Sequence, residues 1–251
     1  MIEVRLECRP PFDGGAVLRF LAARAVAGLE EVAGPGYRRS LRLEHGAALA
    51  ELAPEARAVR CSLWLDDERD LAAAAERCRH TFDLDADPAA IGARLGEDPV
   101  LRALVGARPG LRVPGCVDGF ELAVRAVLGQ QVTLAAARHL SARLVRRYGS
   151  PAGRHGETWR LFPTPGALAG ADSRELGVPR ARVAALRALA RAVLDGRLDL
   201  SPRADRDAAR AALLALPGIG PWTASYVAMR ALRDPDAFPA ADAGVRRALE
   251  R

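Results

Sequence analysis

The spacing of apolar residues changes once along this chain, near residue 88, and this change limits the fold more than any other feature. Before it, the sequence contains stretches in which every second residue is apolar, the pattern of a strand with one buried face. After it, apolar residues recur at intervals of three and four, the pattern of amphipathic helices. We therefore predict an α+β domain over residues 1–87 and an all-α domain over residues 88–251.

The first domain alternates strand and helix signals in a fixed order. That order, β-α-β-β-β-α, predicts a small antiparallel sheet with helices on one face. The predicted strands and helices cover, in turn, residues 2–8, 16–32, 37–43, 47–52, 58–65 and 68–81.

The second domain shows helix starts and stops. Asp118 and Glu121 form a capping box that opens a helix to residue 128, and Thr133 caps the next helix, which Gly149 ends. A further helix is predicted over residues 181–194.

Arginines flank the apolar face of that last helix. Arg180, Arg187 and Arg191 form either a stripe that faces phosphate groups or, as we favour from composition alone, a solvated flank.

Arginine supplies all of the chain's basic charge. The 37 basic residues outnumber the 31 acidic ones and give a net charge of +6, yet lysine is absent. A charge of this size does not by itself identify a nucleic-acid-binding protein. The missing lysine has a sharper consequence, because no side-chain amine of this chain can form a Schiff base.

Metal, disulfide and membrane signals are missing from the sequence. No two cysteines form a CxxC pair and no histidines show HxxxH or HExxH spacing, so we predict no metal site built from side chains. A disulfide framework is not expected either, because four cysteines are few for a chain of this size. The N-terminus has no secretory h-region, and no apolar run reaches the ~20 residues of a membrane span. We expect a cytoplasmic protein. The residues concerned are Cys8, Cys61, Cys78, Cys116, His45, His80, His139 and His155.

A helical hairpin over residues 208–232 is the most informative stretch. Its two helices are joined by a tight turn at Pro217–Gly220, and Pro221 occupies the first position of the second helix. The glycines permit close approach of the backbone to a ligand, and the free amides behind them suit a phosphate. The alternative is an ordinary αα-hairpin without a ligand.

Three side chains near the hairpin are candidates for chemistry. Trp222 and Tyr226 lie four apart and thus on one helix face, as walls of a pocket or as core packing. Asp242 follows Trp222 by twenty positions; taken alone, it would be the N-cap of a helix starting near residue 243.

Four stretches of the chain together resemble the AlkA-type 3-methyladenine DNA glycosylases of the helix-hairpin-helix (HhH-GPD) superfamily. They are PPFDGGAVLRFLAARAV, RPGLRVPGCVDGFELAVRAVLGQQVTLAAA, FPTPGALA and LPGIGPWTA, within a resemblance that runs from about Pro10 to Arg251. The resemblance implies a TBP-like fold for the first domain and a glycosylase domain for the second. The family continues for further helices beyond residue 251, so we expect C-terminal helices to be missing here.

The resemblance implies a role for the hairpin backbone. In that family the hairpin binds the DNA backbone, which here assigns Leu216, Gly218, Ile219, Gly220 and Thr223 to the DNA clamp. A monovalent cation, Na⁺ or K⁺, would bind the carbonyl groups of Leu216 and Ile219, and no other cofactor is expected.

The resemblance also assigns the candidate side chains. Asp242 becomes the catalytic carboxylate, and Trp222, Tyr226 and Phe20 become walls of a pocket for the flipped-out base. Gln130 and Gln131 correspond to the wedge that enters the DNA, with a simple helix–helix connector as the alternative.

The implied activity is that of a monofunctional base excision repair enzyme. Lyase members of the superfamily use a lysine beside the hairpin, where this chain has Trp222. We therefore expect hydrolysis of the N-glycosidic bond of alkylated purines (3-methyladenine, 7-methylguanine) in double-stranded DNA, leaving an abasic site. We expect a monomer associated with the bacterial nucleoid. The alternative is a non-catalytic module that binds DNA or recognises damage.

Overall fold

The coordinates are those of a computed structural model, which describes residues 1–153 and 158–250. His155 lies outside the described residues. The chain divides into two units, Met1–Val117 with Pro151–Leu161 and Asp118–Ser150 with Phe162–Arg251.

The first unit is built on an antiparallel sheet of five strands in the order β1-β5-β4-β3-β2. Every neighbouring pair is antiparallel, and the register sets Val4 against Cys61 and Leu52 against Cys61. The strands are β1 (Ile2–Glu7), β2 (Glu30–Ala33), β3 (Gly36–Arg42), β4 (Ala47–Pro54) and β5 (Ala58–Leu65).

Helices cover the sheet and complete the core of this unit. Buried residues of α1 and α2 pack with the apolar faces of the strands, around the fully buried Tyr37 and Phe82. The helices are α1 (Gly14–Ala22), a 3₁₀ turn (Glu68–Asp70), α2 (Leu71–Thr81), α3 (Pro88–Leu95) and α4 (Pro99–Ala107). The predicted α+β architecture is confirmed.

The helix predicted over residues 16–32 was wrong beyond residue 22. The chain leaves the helix there, passes through Gly28 at φ +81°, and forms strand β2, which pairs with β3 through Val32 and Tyr37. The sheet therefore has one strand more than the predicted order. The apolar spacing of this stretch suits both forms, and pairing with β3 decides between them.

The first unit extends past the predicted boundary at residue 87: its main segment runs to Val117, and Pro151–Leu161 also belongs to it. Helices α3 and α4 belong to it, although the apolar spacing has already become helical. Arg112 holds the end of this segment, because its guanidinium donates to the carbonyl groups of Arg9 and Ala86. These contacts link residues far apart in sequence, which periodicity does not report.

The second unit is helical, as predicted, and its capping signals are confirmed. Asp118 accepts a hydrogen bond from the amide of Glu121 at 2.7 Å, and Thr133 accepts one from Ala136 at 3.2 Å. Its helices are α5 (Gly119–Leu128), α6 (Leu134–Tyr148), α7 (Pro165–Ala169), α8 (Ser173–Leu176), α9 (Arg180–Leu194), α10 (Arg206–Leu214), α11 (Pro221–Arg230) and α12 (Ala243–Leu249). Two short paired strands, β6 (Ser150–Pro151) and β7 (Arg160–Leu161), were not predicted; Pro151 and β7 belong to the first unit.

Helix α5 forms the centre of this unit. It is buried over most of its length and packs against α6, α9 and α11. This central helix fixes the positions of the hairpin formed by α10 and α11 and of the loop that follows Leu128.

Helix α8 is held against the end of α6 by Glu175. The carboxylate of Glu175 accepts hydrogen bonds from the side chains of Arg147 and Tyr148. The Arg147 guanidinium, followed by the Tyr148 hydroxyl, lowers the pKa of Glu175 to about 2.

Within the described part of the chain, no helix has the length and apolar character needed to cross a membrane.

Candidate functional site

The hairpin turn brings its backbone to the surface between two helices. Helix α10 ends at Leu214 and α11 begins at Pro221, with Gly220 as an N-cap that offers no side-chain hydrogen bond. The amides of the first turn of α11 therefore have no side-chain partner from the capping residue. Leu216 and Ile219 are buried and anchor the turn from below.

Gly218 is required by the geometry of this turn. Its φ is +76°, which side-chain-bearing residues rarely adopt, and a Cβ here would lie 3.0 Å from the Cβ of Ala185 on α9. The glycine thus permits both the turn and the close packing of α9 behind it.

Trp222 and Tyr226 stack on each other one turn apart on α11. Their ring centroids are 5.4 Å apart and their planes make an angle of 15°. Both side chains are only partly buried, so the pair lies at the edge of the core and presents aromatic surface.

Asp242 lies beside this pair. The indole nitrogen Nε1 of Trp222 donates a hydrogen bond of 2.9 Å to Oδ2 of Asp242. The predicted spacing of twenty residues thus corresponds to a direct contact between the two side chains.

Asp242 is also the N-cap of α12. Its Oδ1 atom accepts hydrogen bonds from the amides of Gly244 at 2.7 Å and Val245 at 3.2 Å. A role of Asp242 as N-cap is therefore compatible with a role in catalysis, because one carboxylate oxygen caps the helix while the other contacts Trp222.

Arg230 is a buried cation behind the aromatic pair that sequence reasoning missed. Its Nη1 atom donates to the Tyr226 hydroxyl at 2.6 Å, and its guanidinium carbon lies 5.3 Å from the Tyr226 ring centroid. It is 7% exposed. The signal that could have identified it is the spacing 222, 226, 230, which places all three residues on one face of α11.

Gln130 connects the loop after α5 to the hairpin. Its side-chain amide donates to the Gly218 carbonyl and to the Thr223 hydroxyl, both at 2.9 Å. The backbone carbonyl of Gln130 accepts a hydrogen bond of 2.8 Å from the guanidinium of Arg182 on α9. The Gln130 side chain is therefore directed at the protein in this structure.

Gln131 and Thr223 differ in their exposure. Gln131 is exposed and has a φ of +54°, an uncommon conformation for a side-chain-bearing residue. Thr223 is 1% exposed, so any contact of this residue with DNA falls to its backbone amide. Of the two glutamines predicted as a wedge, Gln131 is the one that the structure presents to solvent.

Phe20 belongs to the first unit. It lies on α1, partly buried against the sheet core, with the guanidinium of Arg24 at 3.7 Å from its ring centroid. Its role as a pocket wall stays a prediction.

The described residues contain no cluster of His, Cys, Asp and Glu side chains that could hold a metal ion. The hairpin offers carbonyl oxygens instead. The Leu216 carbonyl accepts a hydrogen bond of 3.2 Å from the Ile219 amide, which leaves its second lone pair for another partner. Neutral oxygens of this kind fit Na⁺ or K⁺.

The protein has an α+β unit and a helical unit. The helical unit contains a glycine-rich hairpin and an aspartate that caps a helix beside two aromatic rings, and these features define a protein of helix-hairpin-helix type. Residues 3–118 match the family model of the AlkA N-terminal domain, and residues 124–251 match that of the HhH-GPD superfamily base excision DNA repair proteins. The chain belongs to the HhH-GPD superfamily and carries an AlkA N-terminal domain.

Relatives agree with this assignment. The chain is 50% identical over 251 residues to a probable bifunctional transcriptional activator/DNA repair enzyme AlkA of Mycobacterium tuberculosis, covering 100% of this chain and 51% of that protein. It is 40% identical over 240 residues to DNA-3-methyladenine glycosylase 2 of Escherichia coli, covering 93% of this chain and 82% of that protein. The chain thus spans about half the length of the M. tuberculosis relative.

A solved structure shares the fold. The 3-methyladenine DNA glycosylase of Archaeoglobus fulgidus superimposes with a TM-score of 0.83 at 25% identity, covering 99% of this chain and 85% of that one.

Proposed function

We propose that this chain is a monofunctional DNA glycosylase that hydrolyses the N-glycosidic bond of flipped-out alkylated purines and leaves an abasic site. The observation that carries the proposal is the contact between Asp242 and Trp222, which puts a carboxylate at the edge of a stacked aromatic pair. Membership of a base excision repair family, and relatives named as 3-methyladenine glycosylases, support it.

The carboxylate has the chemistry that this reaction needs. Cleavage of a glycosidic bond passes through a transition state with positive charge on the sugar, as in glycoside hydrolysis. Asp242 is held in place by two amides of α12 and by the Trp222 indole, so its negative charge requires little reorganisation when that cation forms. In this proposal Asp242 stabilises the sugar cation and orients the attacking water.

The aromatic pair supplies the binding surface for the extruded base. Stacking of a base on an aromatic ring contributes about 1–3 kcal/mol. An alkylated purine that carries positive charge gains a further cation–π attraction. Extrusion costs least for weakly paired bases, and this favours damaged ones.

The hairpin supplies sequence-independent contact with duplex DNA. The first-turn amides of α11 and the positive end of its dipole suit a backbone phosphate. The carbonyl groups of Leu216 and Ile219 would hold Na⁺ or K⁺, which when bound adds positive charge beside that phosphate. Gln131, exposed on the loop after α5, is the residue we propose to fill the gap left by the base.

A non-catalytic DNA-binding module is the second candidate. The cap that Asp242 provides to α12 is the observation that favours it, because that role alone accounts for an aspartate here.

Release of free base from methylated duplex DNA tests the two candidates. The wild type should release 3-methyladenine and 7-methylguanine, and Asp242→Asn should be slower by about 100-fold or more because a preorganised charge is lost. Asparagine is itself a good N-cap, so α12 keeps its start. Asp236→Asn, an exposed carboxylate in the same loop, serves as the control and should release base at the wild-type rate.

The outcome that overturns catalysis is a wild type that releases no base while it binds abasic-site DNA. That result would establish the binding module. Duplexes with hypoxanthine or 8-oxoguanine, assayed in parallel, define the range of bases.

A further inference from the structure

A row of arginines lies on the side of α9 away from the hairpin. Helix geometry puts Arg180, Arg187 and Arg191 within about 20° of one line along the axis, at 100° per residue. Ala185, whose Cβ faces Gly218 of the hairpin, lies about 140° around the helix from Arg180. The hairpin and the arginine row therefore occupy different sides of α9.

The row borders a surface cavity of about 460 Å³. Arg174 of α8 joins the three arginines of α9 in its wall, and Asp172 is the acidic residue among those that line it. Asp172 accepts a hydrogen bond from the Arg174 amide at 2.9 Å, so its charge is engaged at the edge. The Arg174 guanidinium also pairs with Asp172, with Nε 4.0 Å from Oδ2, so the three arginines of α9 supply the excess positive charge of the cavity.

The three guanidinium groups of α9 are available to a ligand. The Nε atom of Arg187 donates to the Ala171 carbonyl at 2.6 Å, which orients the guanidinium group, and no carboxylate among the described residues forms an ion pair with it. In the described part of the chain, the side chains of Arg180 and Arg191 make no hydrogen bond or ion pair with another residue. A protein that only needed solubility would more commonly pair such charges along a helix.

The shape of the row selects an extended polyanion. From Arg180 to Arg191 the helix rises by about 16 Å, which corresponds to about five nucleotides of one strand at 3.4 Å each. Ala184 and Ala188 lie between the arginines, and their small side chains let a backbone approach. The fork of the guanidinium group matches phosphate oxygens, and the walls lack the large apolar anchors on which protein partners depend.

We infer that this face of α9 is a second phosphate-contacting surface for duplex DNA, separate from the hairpin. The identity of the polyanion as DNA rests on the proposed function. The surface adds sequence-independent affinity and lets the protein touch a second stretch of backbone while the hairpin holds the first.

The test is the salt dependence of binding to a short undamaged duplex, followed by fluorescence anisotropy. Arg180→Ala/Arg191→Ala removes two exposed guanidinium groups that make no hydrogen bond or ion pair with the described residues, so we expect the fold to be kept. We expect affinity to fall about tenfold or more at low salt and the slope of log K against log salt to fall by about 2. Arg5→Ala/Arg60→Ala removes the same charge from exposed positions of the first unit and should leave the slope unchanged.

Equal slopes for the Arg180/Arg191 variant and the control would overturn the inference. So would binding of inorganic tripolyphosphate by the wild type, lost in the Arg180/Arg191 variant, while the duplex slope stays at the wild-type value. Base release from methylated DNA separates this inference from the proposed function. If the wild type releases no base but the variant loses duplex affinity, the function fails and the surface stands. If the wild type releases base and the variant keeps the wild-type slope, only the surface fails.

Discussion

The hydrogen bond between Trp222 and Asp242 gives the indole a second task beyond stacking. One face of the ring lies against Tyr226, while Nε1 holds an oxygen of the carboxylate. In the proposed function Trp222 both binds the base and positions the carboxylate, so displacement of the ring would disturb both steps. The indole is therefore a positioning residue for Asp242.

Trp222→Phe separates these two tasks. Phenylalanine keeps an aromatic face and loses the donor, and a hydrogen bond to a charged group is worth about 1.5–3 kcal/mol. We expect single-turnover base release to slow by about 10- to 100-fold, with affinity for abasic-site DNA within a factor of about three. Tyr226→Phe is the matched control, because it removes a hydroxyl that contacts Arg230 and leaves the carboxylate untouched. Equal slowing in both variants would show that the hydrogen bond from Trp222 to Asp242 is not what sets the rate, because Tyr226→Phe leaves that bond in place.

At the scale of elements, the loop after α5, the hairpin and α9 are joined through one glutamine. Gln130 bonds to the hairpin with its side chain and to Arg182 with its carbonyl. Gln131, which we propose as the wedge, directly follows this anchor, so its position relative to the hairpin turn is fixed. This arrangement explains why the two adjacent glutamines have different environments.

Gln130→Ala should therefore destabilise the protein, and Gln131→Ala should not. The first change removes two hydrogen bonds and leaves the Gly218 carbonyl and Thr223 hydroxyl without that partner, at a cost of about 1–2 kcal/mol. The second acts at an exposed position and should stay within about 0.5 kcal/mol. Urea unfolding followed by tryptophan fluorescence measures both. A Gln130 variant as stable as the wild type would mean that the loop is held by other contacts.

The same contrast shows which elements the sequence can predict. The caps at Asp118, Thr133 and Asp242 depend on amides two or three residues away, and all three are found. Strand β2 depends on pairing with β3, and the Gln130 contact joins residues 88 positions apart. Neither leaves a local pattern. Arg230 lies between these cases, because its helical spacing was visible but its burial was not.

At the scale of the whole molecule, composition decides which branch of glycosylase chemistry is open to this chain. None of the 251 residues is lysine, and Trp222 occupies the position beside the hairpin where lyase members of the superfamily have their lysine. A lyase reaction needs an amine that attacks the sugar carbon to form a Schiff base. The carboxylate of Asp242 can stabilise a cation but cannot form that adduct, so the product should remain an intact strand with an abasic site.

Borohydride trapping tests this directly on the 251-residue chain. With methylated duplex DNA, we expect free base to appear, no strand scission before alkaline treatment, and no covalent protein–DNA adduct after reduction. A lysine-dependent glycosylase/lyase run in parallel shows that the assay detects an adduct. The α-amino group of Met1 is the remaining amine, and blocking it by acetylation distinguishes its reaction from any other. Strand scission together with any borohydride-dependent adduct would contradict the assignment, and acetylation then shows whether the α-amino group of Met1 forms that adduct.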